Sequence, residues 1–258
     1  MQKIRVRYAK RGRMRFSSTR DFQRALERAL RRADVPMAFS AGFHPHPKIS
    51  YANAAATGAA SEAEYVELAL ARRVDPAALR VALDAALPQG LDVIAAIEAP
   101  PGALAARLEA SEWQLCFPGV TGPELASAVA VFEQQDRVEV TRIRKAGPRT
   151  FDVRGAVLQI ETGEAGDPRV DAGLPSPAGC GIIRMVVRHT TPAVRPDDVL
   201  TALRAVAGLG LPTPPLVTRL AQGPLRDGGA RVADPLADTE DDVGVDVVAR
   251  IPREPTET

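Results

Sequence analysis

The chain is poor in cysteine, histidine and lysine, and each shortage removes a class of function. Two cysteines in 258 residues, Cys116 and Cys180, are too few for a disulfide framework, an iron–sulfur cluster or a zinc site built on cysteine alone. They read as small core residues of a protein in a reducing compartment. The three histidines, His44, His46 and His189, make a metal site only if carboxylates such as Glu62 or Glu64 join them. No stretch approaches the roughly 18 uncharged apolar residues of a membrane span, and Met1-Gln2-Lys3-Ile4-Arg5 lacks the apolar run of a leader. The expectation is a soluble, cytoplasmic protein with no cofactor and no membrane partner.

Lysine is scarce because arginine replaces it: 4 Lys stand against 29 Arg, so the placement of arginines carries more than their number. The net charge of +1 conceals a polarity. Residues 1–50 hold 13 Lys or Arg against 3 Asp or Glu, whereas residues 226–258 hold 4 against 9. A basic head suits a polyanionic partner, and an acidic tail is able to screen it. Aromatics are also few, yet seven of the eleven fall within residues 1–65, in the same basic region. That coincidence favours nucleic acid over a small anion.

Lys3 to Tyr8 alternates, with Ile4, Val6 and Tyr8 opposite Lys3, Arg5 and Arg7, which predicts a half-buried strand with a basic outer face. Arg13 to Phe16 extends the pattern into a second short extended piece. Ser18 followed by Asp21 predicts a capped helix whose apolar stripe is Phe22, Ala25, Leu26, Ala29, Leu30 and Ala33. Its other side carries Arg20, Arg24, Arg28, Arg31 and Arg32, either a solvated face or a stripe for phosphates. Strands are expected at 37–39, 48–52, 64–70 and 91–97, and a second helix after Asp75-Pro76.

The order β-α-β-β-α-β predicts a ferredoxin-like sandwich over residues 1–98. A linker at 99–110 leads to a second unit over 111–222, with strands at 112–117, 137–144, 182–188 and 215–221, helices at 123–132 and 197–206, and a Gly/Pro-rich insertion at about 162–179. The fold class is thus α+β, two ferredoxin-like domains in tandem, closed by a disordered acidic tail at 223–258.

The most specified stretch is Phe39-Ser40-Ala41-Gly42-Phe43-His44-Pro45-His46-Pro47-Lys48-Ile49-Ser50-Tyr51. Each proline stiffens the backbone and pushes the residue before it toward extended geometry, which presents His44, His46 and Lys48 rather than burying them. Phe43 and Tyr51 offer rings to unpaired bases, and His44, His46 and Lys48 suit phosphates or 2′-hydroxyls. The same two histidines are also weak candidates for acid–base cleavage of RNA. Alternatively, the prolines and aromatics only shape the loop.

Phe16-Ser17-Ser18, Arg24 to Arg32, the Phe39 to Ser50 run, Ser61 to Tyr65, Asp152-Val153-Arg154 and Val194-Arg195-Pro196 together resemble the radical-SAM-linked protein family. That family is a domain of unknown function fused to, or encoded beside, a radical-SAM enzyme. The resemblance spans residues 1 to about 222 and implies a separate radical-SAM enzyme as partner. This chain itself has no three-cysteine cluster motif, so the radical chemistry is not expected here. The basic helix and aromatic loop are also similar, at the level of fold alone, to RNA-binding ferredoxin-like domains of CRISPR repeat-processing proteins.

The expected function is a non-catalytic accessory that binds RNA and presents it to that enzyme. The expected RNA contacts are Arg5, Arg7, Arg20, Arg24, Arg28, Arg31, Phe43, His44, His46, Lys48 and Tyr51. A protein–protein adaptor of a radical-SAM or RNA-processing enzyme, and a metal-independent ribonuclease using His44 or His46, are the alternatives.

Overall fold

The alternation at Lys3–Tyr8 produces β1 (Gln2–Lys10), whose Ile4, Val6 and Tyr8 pack beneath two helices. The first, α1 (Thr19–Arg32), begins at the expected capping box: Ser18 Oγ accepts the Asp21 N–H, and the Asp21 carboxylate accepts the Ser18 N–H. Phe22, Ala25, Leu26, Ala29 and Leu30 are buried, and Phe22 stacks on Tyr8 with ring centroids 4.4 Å apart. β2 (Ile49–Ala52), β3 (Ala60–Leu70), α2 (Pro76–Ala86) and β4 (Val93–Glu98) follow, with Asp75 capping α2 and Pro76 at its first position. The strands lie in the order β4-β1-β3-β2, every neighbouring pair antiparallel. The computed structural model describes residues 1–237 apart from 146, 175, 178 and 230.

The second half runs β5 (Ala110–Phe117), α3 (Gly122–Glu133), a hairpin of β6 (Glu139–Arg144) and β7 (Gly147–Asp152), then β8 (Val157–Glu164), β9 (Gly181–Arg188), α4 (Pro196–Ala207) and β10 (Leu216–Gly223). Its order, β10-β5-β9-β8, is again antiparallel throughout. With the hairpin set aside, it reproduces the order of the first half. Rather than forming two sheets in tandem, strands of both halves join one mixed sheet through a parallel β3–β10 contact, Ala60↔Thr218 and Ser61↔Arg219. The fold is therefore mixed α and β, with four α-helices among the described residues.

The face of β1 away from the helices was expected to be open and basic, and this is corrected. Arg5 is fully buried and Arg7 is 9% exposed. Leu104 and Leu108, from the 99–110 segment, and Leu236 pack over Ala63 and Tyr65 and cover that face. Under this cover Arg5 Nε donates to Glu67 at 3.0 Å and its Nη2 to the Gly102 carbonyl, while Arg7 Nε donates to the Glu62 carbonyl at 2.8 Å. Burial opposes the ionisation of Glu67, yet hydrogen bonds from Lys3 and Arg5 bring its carboxyl below the ordinary value. The buried Arg5 guanidinium is held by a carboxylate at Nε and a carbonyl at Nη2, while its Nη1 is buried with no partner among the described residues.

Other departures have local causes. Gly12–Phe16 is a 3-10 turn rather than extended, and Met37 and Phe39 make single bridges instead of a strand. The segment from residue 223 is structured as far as it is described, because β11 (Leu225–Arg226) pairs β12 (Arg231–Val232) and Asp234 approaches Arg7 at 3.6 Å. Residues 238–258, the rest of the acidic stretch, lie outside the described residues. Cys116 and Cys180 are buried as expected but joined as a disulfide, with Cα atoms 6.1 Å apart, and Val170 of the insertion packs beside them. Among the described residues no helix is long and apolar enough to cross a membrane.

Candidate nucleic-acid interface

The proline-rich stretch forms a closed tip. Lys48 N–H donates to the Ala38 carbonyl at 2.8 Å and Ser40 N–H to the His46 carbonyl at 2.9 Å; in return Ser40 Oγ accepts the His46 N–H at 3.0 Å. Gly42 takes φ of +121°, which a side chain rarely adopts, and turns the chain at the apex. Residues 41–46 are all exposed, and Phe43 stands wholly free of packing at 103% relative exposure. His44 and His46 make no side-chain hydrogen bond or ion pair among the described residues. Lys48 is exposed on the return strand. Tyr51 is half-buried, its ring edge-on to Phe22 at 6.2 Å, and burial with nearby Glu27 raises its pKa to about 12. It props the loop against α1 more than it faces solvent.

Arg20, Arg24, Arg28 and Arg31 are exposed on α1, the first three at helical four-residue spacing. Asp21 is committed to the cap. Of the expected RNA contacts, the structure thus leaves Arg20, Arg24, Arg28, Arg31, Phe43, His44, His46 and Lys48 in solvent, and removes Arg5 and Arg7 to a buried layer.

A second feature was not anticipated. Where the halves meet, a cleft of about 1700 Å³ is lined by Arg11, Arg15, Phe16, Asn53, Trp113 and Arg219, and Ser111, His189 and Arg195 line it as well. Beside it Lys10 is buried and donates to the carbonyls of Ala55 and Ala56, and burial lowers its pKa despite Glu64. Arg11 is held by Glu62 and by Asp92, and its hydrogen bond with Glu62 raises its pKa. His189 Nδ1 lies 2.8 Å from the Leu108 carbonyl, which only accepts, so Nδ1 carries the proton and Nε2 accepts from Ser111 Oγ at 2.8 Å. The pair has the arrangement of a nucleophile and base, but Ser111 is 1% exposed. Among the described residues no group of three or more His, Cys, Asp or Glu side chains is placed to hold a metal ion.

The profile of a bacterial family described as an uncharacterized protein conserved in bacteria, DUF2344, matches residues 3–196. The chain belongs to that family. A search of the curated proteins returned no match. The DUF2344 match takes in the loop, the α1 arginines, Arg11 to Phe16, Asn53, Ser111, His189 and Arg195, and it stops before β10 and Arg219.

In this DUF2344 chain the cleft brings residues from distant segments together, which is why residue patterns did not reveal it. One measurement addresses its wall. Burial lowers the pKa of His189, with Arg219 adding to the effect against the Leu108 hydrogen bond. The unfolded chain binds the proton near pH 6.5, so below that pH the unfolded state holds more protons than the folded state. The contribution of His189 is complete above about pH 6.5 and is lost as pH falls toward the folded value. Urea midpoints are expected to drop between about pH 7 and about pH 5, and to drop less in His189→Gln. Equal drops in both proteins would show that His189 does not carry the dependence.

Proposed function

We propose that this protein binds RNA through the 39–51 loop and the arginine face of α1, and holds it for a separate enzyme. The observation that carries the reading is Phe43, an unpacked aromatic ring at a loop tip that also carries His44, His46 and Lys48, beside a helix with five exposed arginines. A ring exposed in this way has no role in the fold, whereas stacking on an unpaired base gives it one, and neighbouring cations supply phosphate contacts. By the family resemblance the separate enzyme is a radical-SAM enzyme, and the RNA is the substrate it modifies. Holding the substrate needs neither a cofactor nor a catalytic residue in this chain. The absence of any side-chain partner for His44 and His46 among the described residues supports recognition over ribonuclease chemistry, which needs oriented acids and bases. We also read residues 1–98 and 111–222 as two ferredoxin-like units, on the repeated strand order, with 99–110 between them.

The test is ultraviolet crosslinking and sequencing of RNA bound to the tagged protein in cells, beside a His44→Ala/His46→Ala protein. One RNA class enriched with the native protein and lost in the variant is expected. Enrichment of neither RNA, with a co-purifying enzyme instead, would transfer the loop to an adaptor role. In solution, Phe43→Ala is expected to weaken single-stranded RNA binding by about 10- to 100-fold, the loss of about 1–3 kcal/mol for one stacked base.

A further inference from the structure

The cleft between the halves is remote from the tip of the loop. Asn53 lies beyond the C-terminal end of β2 and Pro47 before its N-terminal end, on the order of 20 Å apart at about 3.3 Å per residue. Its volume exceeds the roughly 300–1,000 Å³ of an ordinary small-molecule pocket.

Its charges are unevenly spent. Glu62 is consumed by Arg11, Glu64 by Arg219, and Asp171 accepts from Gly166 and Gly173 N–H groups. Arg15 and Arg195, both lining the cleft, have no carboxylate partner within ion-pair distance among the described residues and are available to an anion, while Asp171 and Asp197 line the cleft as well. Phe16 lines the same opening and is 59% exposed, with the Arg15 guanidinium 4.6 Å from its ring centroid on one side. An exposed ring beside an unpaired guanidinium is suited to a base and its phosphate together. Asn53 is exposed at the opening, with φ of +39°, a left-handed conformation that asparagine adopts more readily than most residues other than glycine. Of the polar side chains here, Asn53 is exposed and offers its amide to a ribose hydroxyl, whereas Ser111 is buried against His189.

We propose that this cleft binds a nucleotide carrying a 5′-phosphate, the base on Phe16, the phosphate drawn by Arg15 and Arg195, and the sugar toward Asn53. The site stands independently of the RNA reading of the loop. The nucleotide is either free or the end of a strand, and the two sources share this chemistry.

Trp113 is the single tryptophan of the chain and lines the cleft, with the Arg219 guanidinium 4.7 Å from its ring centroid. Its fluorescence therefore reports occupancy of this site and not of the loop. AMP, a 5′-phosphorylated tetra-adenylate and inorganic phosphate are titrated into the full chain. A saturable change with AMP or the tetranucleotide is expected, and the tighter of the two identifies the source. Phe16→Ala and Arg15→Glu, at sites outside the core, are expected to weaken it at least about tenfold with the thermal midpoint kept. Arg24→Glu/Arg28→Glu should leave the AMP titration unaltered, which separates failure of the RNA reading from failure of this one. No response to AMP or the tetranucleotide at about 5 mM would overturn the proposal. So would an equal response to inorganic phosphate, or unaltered affinity in both cleft variants.

Discussion

Replacing Arg219 with methionine is expected to lower the free energy of unfolding by about 3–5 kcal/mol, read from urea denaturation. Arg219 is 5% exposed on β10, and its Nη1 donates to the Asn53 carbonyl at 2.6 Å and to Glu64 Oε1 at 3.2 Å. Burial disfavours its charge and Glu64 works to restore it. Glu64 is itself 1% exposed and has one further hydrogen bond, from the Ala55 N–H. Methionine fills most of the volume over Trp113 but leaves that carboxylate buried without its hydrogen-bonded cation, with the charge of buried Lys10 still felt there, the costly outcome for such a pair. The loss falls where the halves are joined sparsely, since β3 and β10 pair over two residues and Gln222 Nε2 to the Ala63 carbonyl, at 2.6 Å, is the next direct bond across. Removing both charges with Arg219→Met/Glu64→Gln is expected to recover part of the loss. A change under about 1 kcal/mol in the single variant would show that the ion pair does not hold the junction.

Periodicity located the strands and helices wherever one face meets a core. Ile4, Val6 and Tyr8, and the α1 stripe from Phe22 to Leu30, were legible because burial on one side imposes periods of 2.0 and 3.6. The same alternation is silent on what covers the opposite face. Arg5 and Arg7 read as solvent-facing, and the residues that bury them, Leu104, Leu108 and Leu236, are isolated leucines in segments without a period. β8 escaped notice because a register shift between Val157 and Gln159 breaks its alternation. The 39–51 loop was legible from its prolines and aromatics, since those residues act locally. The cleft was not, because Arg15, Asn53, His189 and Arg219 converge only once β3 and β10 pair.

Charge reversal on α1, Arg24→Glu with Arg28→Glu, is expected to weaken binding of single-stranded RNA by on the order of 10- to 100-fold at about 0.1 M salt. Both side chains are exposed and four residues apart, so they face one way along the helix. No acid of the helix forms an ion pair with them among the described residues: Asp21 is hydrogen-bonded to the Ser18 cap while feeling the charges of Arg24 and Arg20, and Glu27 lies beside Tyr51. Each phosphate left without its arginine lowers the slope of log affinity against log salt by about 0.7 for a single strand, so two such phosphates lower it by about 1.4. The slope separates this effect from damage to the fold, because a partly unfolded protein binds less at every salt concentration without changing the number of ions released. Stability is expected to move by no more than about 0.5 kcal/mol, as for other surface substitutions. Affinity and slope both unchanged would take the stripe out of the interface and leave Phe43 and its loop to bind alone. A lower affinity with the native slope would mean that the arginines position the loop without touching phosphate.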